Sequence, residues 1–345
     1  WIAAIVHDWC YDLLTKEDML FMRYYVEQIC QMMSSTHPYP YDVMDKGGVG
    51  PSAWTVTHPF RDDLAFAIAS YDEYPDWYNY IASLLIYEYA PFQDYYIPGE
   101  TMPSGSSYGY VRWYAFGWSK RLMEVATGYN PYKTDYSRMM LQWIYEQTPE
   151  GQYFRSGDDT IAALSATESP DVKGSYTTAF LLAARDQENP YLKSVFKYYA
   201  QLTNPNYATY TAYFNSHTPV TGMILNDPSI EAKSFENLPL TKYFGEPFGK
   251  MVARTGWNTG VDTNDVLAYM YVGEERVTNH GHADSGTYQL YYKGLLLPDL
   301  GHYARTYQPQ YYYHSPRTVS HNALLIRDPN EEQGAKNLSK HNVGN

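Results

Sequence analysis

The hydrophobic period of this chain changes near residue 205, and that switch limits the fold to a helical part followed by a sheet part. Residues 1–14 (WIAAIVHDWCYDLL) carry apolar groups at helical spacing. Thr15 with Asp18 forms a start signal of the S/T-x-x-D/E type, predicting a second helix to about Met33. A Gly/Pro-rich break covers 36–60, and further helices are predicted at about 61–70, 76–89, 108–127, 135–147, 175–186 and 190–202. Helices of this length joined by loops suggest stacked hairpins. An incomplete (α/α) toroid, with a cleft at its centre, is one such arrangement.

Beyond about 205 the pattern favours strands: 248–257 (FGKMVARTGW), 265–273 (DVLAYMYVG), 286–292 (GTYQLYY), 295–300 (LLLPDL) and 318–327 (TVSHNALLIR). Lys293-Gly294 reads as the turn of a hairpin between two of them. The expectation is a multidomain α+β chain. A helical toroid spans 1–205 and an antiparallel, sandwich-like β-domain spans 206–345, with the boundary between 205 and 245. Trp1 already lies in a helical pattern and Asn345 follows soon after strand-like sequence, so both ends are expected to be truncated.

At 345 residues, two domains with buried cores are affordable only because the chain is 44% hydrophobic and 18% charged, a globular composition. The formal net charge of −13 argues against a nucleic-acid partner, which needs a basic surface. An acidic protein can bind a polyanion only if its 25 Lys and Arg gather at the cleft, which favours carboxylate-bearing over heavily sulfated polymers. The 39 tyrosines suit a sugar-binding cleft, and compositional habit explains them equally well. Cys10 and Cys30 read as free thiols rather than a disulfide. No apolar run has the length of a membrane span.

The densest chemical signal is residues 279–302, NHGHADSGTYQLYYKGLLLPDLGH. His280, His282 and Asp284 alternate, so an extended chain sends them to one face. Asp299 lies on the return strand of the predicted hairpin, and His321 follows in RTVSHNALLI. Two imidazoles and a carboxylate gathered this way suit zinc, and a hydrogen-bonded polar network is the competing reading.

The run HGHADSGTYQLYYKGLLLPDLGHY, with Arg317 to His321-Asn322, resembles the signature of the heparinase II/III-like β-domain. MVARTGW (251–257) resembles the strand that leads into that domain. EGQYFRSGDD (150–159) and SGSSYGYVRWYAF (104–116) resemble stretches of the family's helical toroid more loosely. The stretch GETMPSGSSYG (99–109) departs from the family in having no Asn or His where many members carry one. The resemblance implies a polysaccharide lyase, periplasmic or secreted, acting on a uronate polymer such as heparan sulfate. It makes His282, Asp299 and His321 ligands of a structural Zn2+ and turns His280 toward substrate. It places one tyrosine in the toroid, where Tyr153 fits, and one after the metal-binding aspartate, where Tyr307 and Tyr311 fit beside Tyr312 and Tyr313.

β-Elimination removes the proton on carbon 5 of a uronate and expels the oxygen on carbon 4. The carboxylate must be neutralised, a base must take the proton, and an acid must protonate the leaving oxygen. His280 is the first candidate for base or neutraliser; Asn279, Arg112 and Arg155 are candidate neutralisers, with ordinary surface ion pairs as the alternative. Trp113, Trp118 and Trp257 either stack on sugar rings or fill the core. The alternative substrates are alginate, hyaluronan or another unsulfated uronan. The alternative functions are a glycoside hydrolase using pairs such as Asp62-Asp63 or Asp158-Asp159, and a non-catalytic polysaccharide-binding protein.

Overall fold

The computed structural model describes residues 1–34, 58–102, 105–133, 140–157, 180–186, 188–195, 223–273, 282–301, 314–315 and 317–324. The chain is mixed α+β, with helices first and a five-stranded antiparallel sheet after them. It divides into two compact units, Trp1–Tyr95 with Tyr114–Asp135, and Tyr96–Trp113 with Tyr136–Asn345.

The first unit is helical. Helix α1 (Ile2–Trp9) is shorter than expected, because its end tightens into a 3-10 turn at Tyr11–Leu13, with Leu13 N–H donating to Cys10 O at 2.8 Å. Helix α2 (Lys16–Ser34) begins with the capping box read from sequence: Asp18 N–H donates to Thr15 Oγ1 at 3.1 Å and Thr15 N–H to Asp18 Oδ2 at 2.9 Å. The Thr15 hydroxyl also donates to Asp18 Oδ2 at 2.6 Å, and this bond together with that from Thr15 N–H holds the Asp18 carboxyl below its usual range. Helices α3 (His58–Ala69) and α4 (Pro75–Leu84) follow, and Pro75 sits at the first turn of α4, where no N–H is needed. A π-helical turn, Leu85–Tyr89, runs on into α5 (Ala90–Tyr96). Leu64, Phe66, Ala67, Ile81 and Leu85 form the core of this unit. Neither Cys10 nor Cys30 is in a disulfide.

Helix α6 (Gly105–Thr127) starts in the second unit and ends in the first. In the second unit, the short helix α7 (Gln142–Tyr145) leads into a tight loop closed by the Gln147–Tyr153 bridge. The sheet is a meander in sequence order: β1 (Thr241–Phe244), β2 (Lys250–Arg254), β3 (Val266–Tyr271), β4 (Tyr288–Tyr292) and β5 (Leu295–Leu297). The β4–β5 turn is at Lys293-Gly294, as expected, and both residues take positive φ, 52° and 135°. Pairing of Val252 with Tyr269 and Tyr269 with Gln289 sets one buried row across the sheet; Arg254, Leu267 and Tyr291 set the next. β1 was not anticipated, since four residues carry too little alternation to register. The strand expected at 318–327 is corrected over 318–324, where Thr318–Ser320 form a 3-10 turn followed by a turn at 321–322; 325–327 lie outside the described residues. Ser320 Oγ donates to Ser315 O and Arg317 O, each at 2.8 Å, and these local bonds outcompete an extended backbone.

The sheet's inner face carries two buried cations. Lys250 Nζ lies 3.3 Å from Glu146 Oε1 and 3.1 Å from Thr101 Oγ1, and both partners of the ion pair are fully enclosed. Burial pulls the Arg254 guanidinium down to about 10, against the opposing charge of Asp265. Its Cζ lies 3.7 Å from the Trp257 ring centroid, and Nε donates to Gly256 O.

In the first unit, burial raises the Asp63 carboxyl from 3.8 to about 7; a hydrogen bond from the Cys30 thiol opposes this and the Asp62 charge adds to it. The folded chain therefore keeps a proton that the unfolded chain gives up. The stabilisation is complete below the unfolded value and is lost as pH rises through about 7. Asp63→Asn removes that titration. Its melting temperature relative to wild type is expected to climb between about pH 4 and about pH 8, and a constant difference would contradict this.

Candidate functional site

Three chain segments of the second unit meet behind β4 and β5. The segment 298–301 follows β5, the turn 317–322 packs against it, and 282–287 leads into β4. Leu300 N–H donates to Ser320 O at 3.1 Å, Asn322 Nδ2 to Pro298 O at 3.0 Å, and Tyr288 N–H to Asn322 O at 3.3 Å. Thr318 Oγ1 donates to Ala283 O at 2.9 Å. These bonds bring His282, Asp299 and His321 together although they are up to 39 positions apart in sequence numbering (321 − 282 = 39).

His321 Nδ1 stands 2.7 Å and 2.8 Å from the two Asp299 oxygens, and the His282 and His321 rings lie 5.2 Å apart. Gly301 N–H donates to Asp299 Oδ1 at 2.7 Å. A Cβ on Gly301 would meet His321 Cε1 at 2.3 Å and Ser315 O at 2.7 Å, so only glycine allows this approach. All three side chains are buried, as is Asp284.

The donor chemistry, two imidazoles and a carboxylate, is that of a zinc site. The arrangement is not a finished ligand shell. Asp299 is turned onto His321 Nδ1, the contact by which a carboxylate orients a ligating histidine. Among the described residues no three His, Cys, Asp or Glu side chains stand ready to hold a metal ion.

Arg155 lies beside this cluster. Its Nη1 makes a long hydrogen bond, 3.4 Å, to Asp299 O, while its buried Nε has no hydrogen-bond partner among the described residues. Its backbone is held from β4: Gln289 Oε1 accepts from Arg155 N–H at 3.1 Å, and Gln289 Nε2 donates to Arg155 O at 2.6 Å. Sequence reasoning did not nominate Gln289. The only signal was its place between Tyr288 and Leu290 in YQLYY, where alternation puts it with Tyr291 on the inner face.

The other candidates fall elsewhere. Tyr153 is buried in the 147–153 loop, and Arg112 and Trp113 are buried in α6. Trp113 is wholly enclosed, which is the core role weighed against stacking; Trp118 and Trp257 are half-buried. Asn279, His280, Tyr307 and Tyr311 lie outside the described residues, as does the Asp158-Asp159 pair. A scan of known protein families matches no family model, and a search of curated proteins finds no match.

If Gln289 holds the 155 segment to the sheet, Gln289→Leu leaves two inner backbone groups unsatisfied. At roughly 1–3 kcal/mol per group, the expected loss in denaturant unfolding is about 2–6 kcal/mol. A loss below about 0.5 kcal/mol, the size of an ordinary surface change, would mean that the amide is not a structural tie.

Proposed function

We propose that this chain is a polysaccharide lyase of the heparinase II/III-like kind, cleaving a uronate-containing polysaccharide by β-elimination. The observation that carries the reading is Arg155, with buried donor capacity unspent, beside the joined His282, Asp299 and His321. An arginine fork suits a planar carboxylate. With the uronate carboxylate neutralised there, a base takes the carbon 5 proton. The carbon 4–oxygen bond breaks with its electron pair leaving on oxygen, and an acid protonates that oxygen. A double bond remains between carbons 4 and 5. His280, two residues before His282, is the proposed base or neutraliser, and Tyr153, Tyr307 and Tyr311 are the candidate acid or base tyrosines. Substrate contacts are assigned to Asn279, Arg112 and Arg155; a wholly buried Trp113 belongs to the core instead.

Zinc belongs to the same proposal, with His282 and His321 as nitrogen donors and Asp299 fixing the His321 ring. It would supply structural cohesion to these segments rather than chemistry. The reading also carries an incomplete (α/α) toroid for the helical part and a periplasmic or secreted location, since the polymer lies outside cells. Among the described residues, no helix is long and apolar enough to cross a membrane. The favoured substrate is a heparan-sulfate-like glycosaminoglycan, with alginate, hyaluronan or another unsulfated uronan as the alternative that the −13 net charge favours.

The test is a panel of these polymers followed by ultraviolet absorbance of the unsaturated uronate. One polymer should give rising absorbance that His280→Ala abolishes and Arg155→Ala lowers by roughly 100-fold or more, the scale of losing one transition-state donor. Reducing ends without absorbance would indicate a hydrolase. A flat trace with zinc bound would indicate a binding protein. Metal analysis of the purified protein is expected to give about one zinc per chain, lost in His282→Ala with a fall in melting temperature.

A further inference from the structure

The helical unit has an open cavity of about 500 Å³ between α1 and α3, floored in part by the small side chains of Ala4 and Ala65. Its volume is within the range of small-molecule clefts. Two aromatic rings stand in its wall with most of their surface in water: Trp9 is 68% exposed and Tyr71 50%. Asp8 and Asp72 line the same cavity, both exposed. Among the described residues neither carboxylate has a hydrogen-bond or ion-pair partner.

Aromatic faces beside unengaged carboxylates match the two sides of a sugar ring. The C–H face stacks on an indole or phenol ring, and the hydroxyl groups donate to carboxylate oxygens. The two carboxylates repel a uronate, so this cavity is chemically opposite to the arginine–histidine cluster of the other unit. We propose that the α1–α3 cavity binds an uncharged saccharide, with Trp9 and Tyr71 stacking on its rings and Asp8 and Asp72 accepting hydrogen bonds from its hydroxyl groups. The site stands on these residues alone and does not depend on the lyase reading.

Calorimetric titration of the whole chain with cellohexaose, xylohexaose, mannohexaose and an oligoglucuronate tests this. At least one neutral hexaose is expected to bind, and the oligoglucuronate is not expected to bind through Trp9. Trp9→Ala, Tyr71→Ala and Asp72→Asn should each weaken the neutral sugar by about tenfold, the worth of one ring or one hydrogen bond. Both rings are exposed enough that their removal leaves the fold intact, which circular dichroism verifies. The proposal is overturned if no neutral hexaose binds at millimolar concentration, or if binding is undiminished in both aromatic variants. It is equally overturned by a concentration-dependent dimer that Trp9→Ala abolishes, which would make the exposed rings a contact between copies.

Discussion

A glutamine inside a sheet ties the candidate site together. Gln289 is fully buried in β4, and its side-chain amide makes with Arg155 the pair of hydrogen bonds that a neighbouring backbone would otherwise supply. A buried amide left without partners would be strongly destabilising, so the 155 segment and the sheet stabilise each other. That tie fixes the backbone from which the Arg155 side chain reaches Asp299 O. The same sheet face ties in a second segment through Lys250, Glu146 and Thr101, and Phe154 packs on Tyr269 with ring centroids 5.5 Å apart. The inner face thus holds the loop after α7 by polar bonds set within an aromatic packing layer.

From this frame the histidine cluster follows. The β4–β5 hairpin turns back at Lys293-Gly294 and delivers Asp299 two residues past the end of β5. The 3-10 turn at Thr318–Ser320 then presents His321 to Asp299, with Gly301 leaving room for the imidazole. A strand at this point would carry alternate side chains to opposite faces; the turn instead lets Ser320 bond locally while His321 points inward. Buried charge and imidazole in such a place are expensive to keep, and their arrangement beside an arginine is what the lyase proposal rests on.

Much of the scaffold was legible in sequence because it rests on local signals. The Thr15–Asp18 box and the Lys293-Gly294 turn each act within a few residues, and each is where the pattern put it. The three inner strands were legible because Val, Leu and Tyr alternate. What escaped was set by distant partners. β1 owes its existence to pairing with β2, as in Thr241 with Ala253. Lys250 and Gln289 are polar residues at inward positions, and only Glu146 and the Arg155 backbone make those positions tolerable. Of the site, His282, Asp299 and His321 lie close together in the fold, and the direct hold of Asp299 on His321 Nδ1 depends on a turn that the pattern read as strand.

The central claim is that the arginine–histidine cluster serves elimination across carbons 4 and 5 of a uronate. The most direct measurement is proton nuclear magnetic resonance of uronate polymers incubated with the protein. The account predicts a vinylic carbon 4 proton on a new non-reducing uronate end, missing when His280→Ala is used. New reducing ends with saturated uronates would contradict it, because bond cleavage by water leaves no double bond.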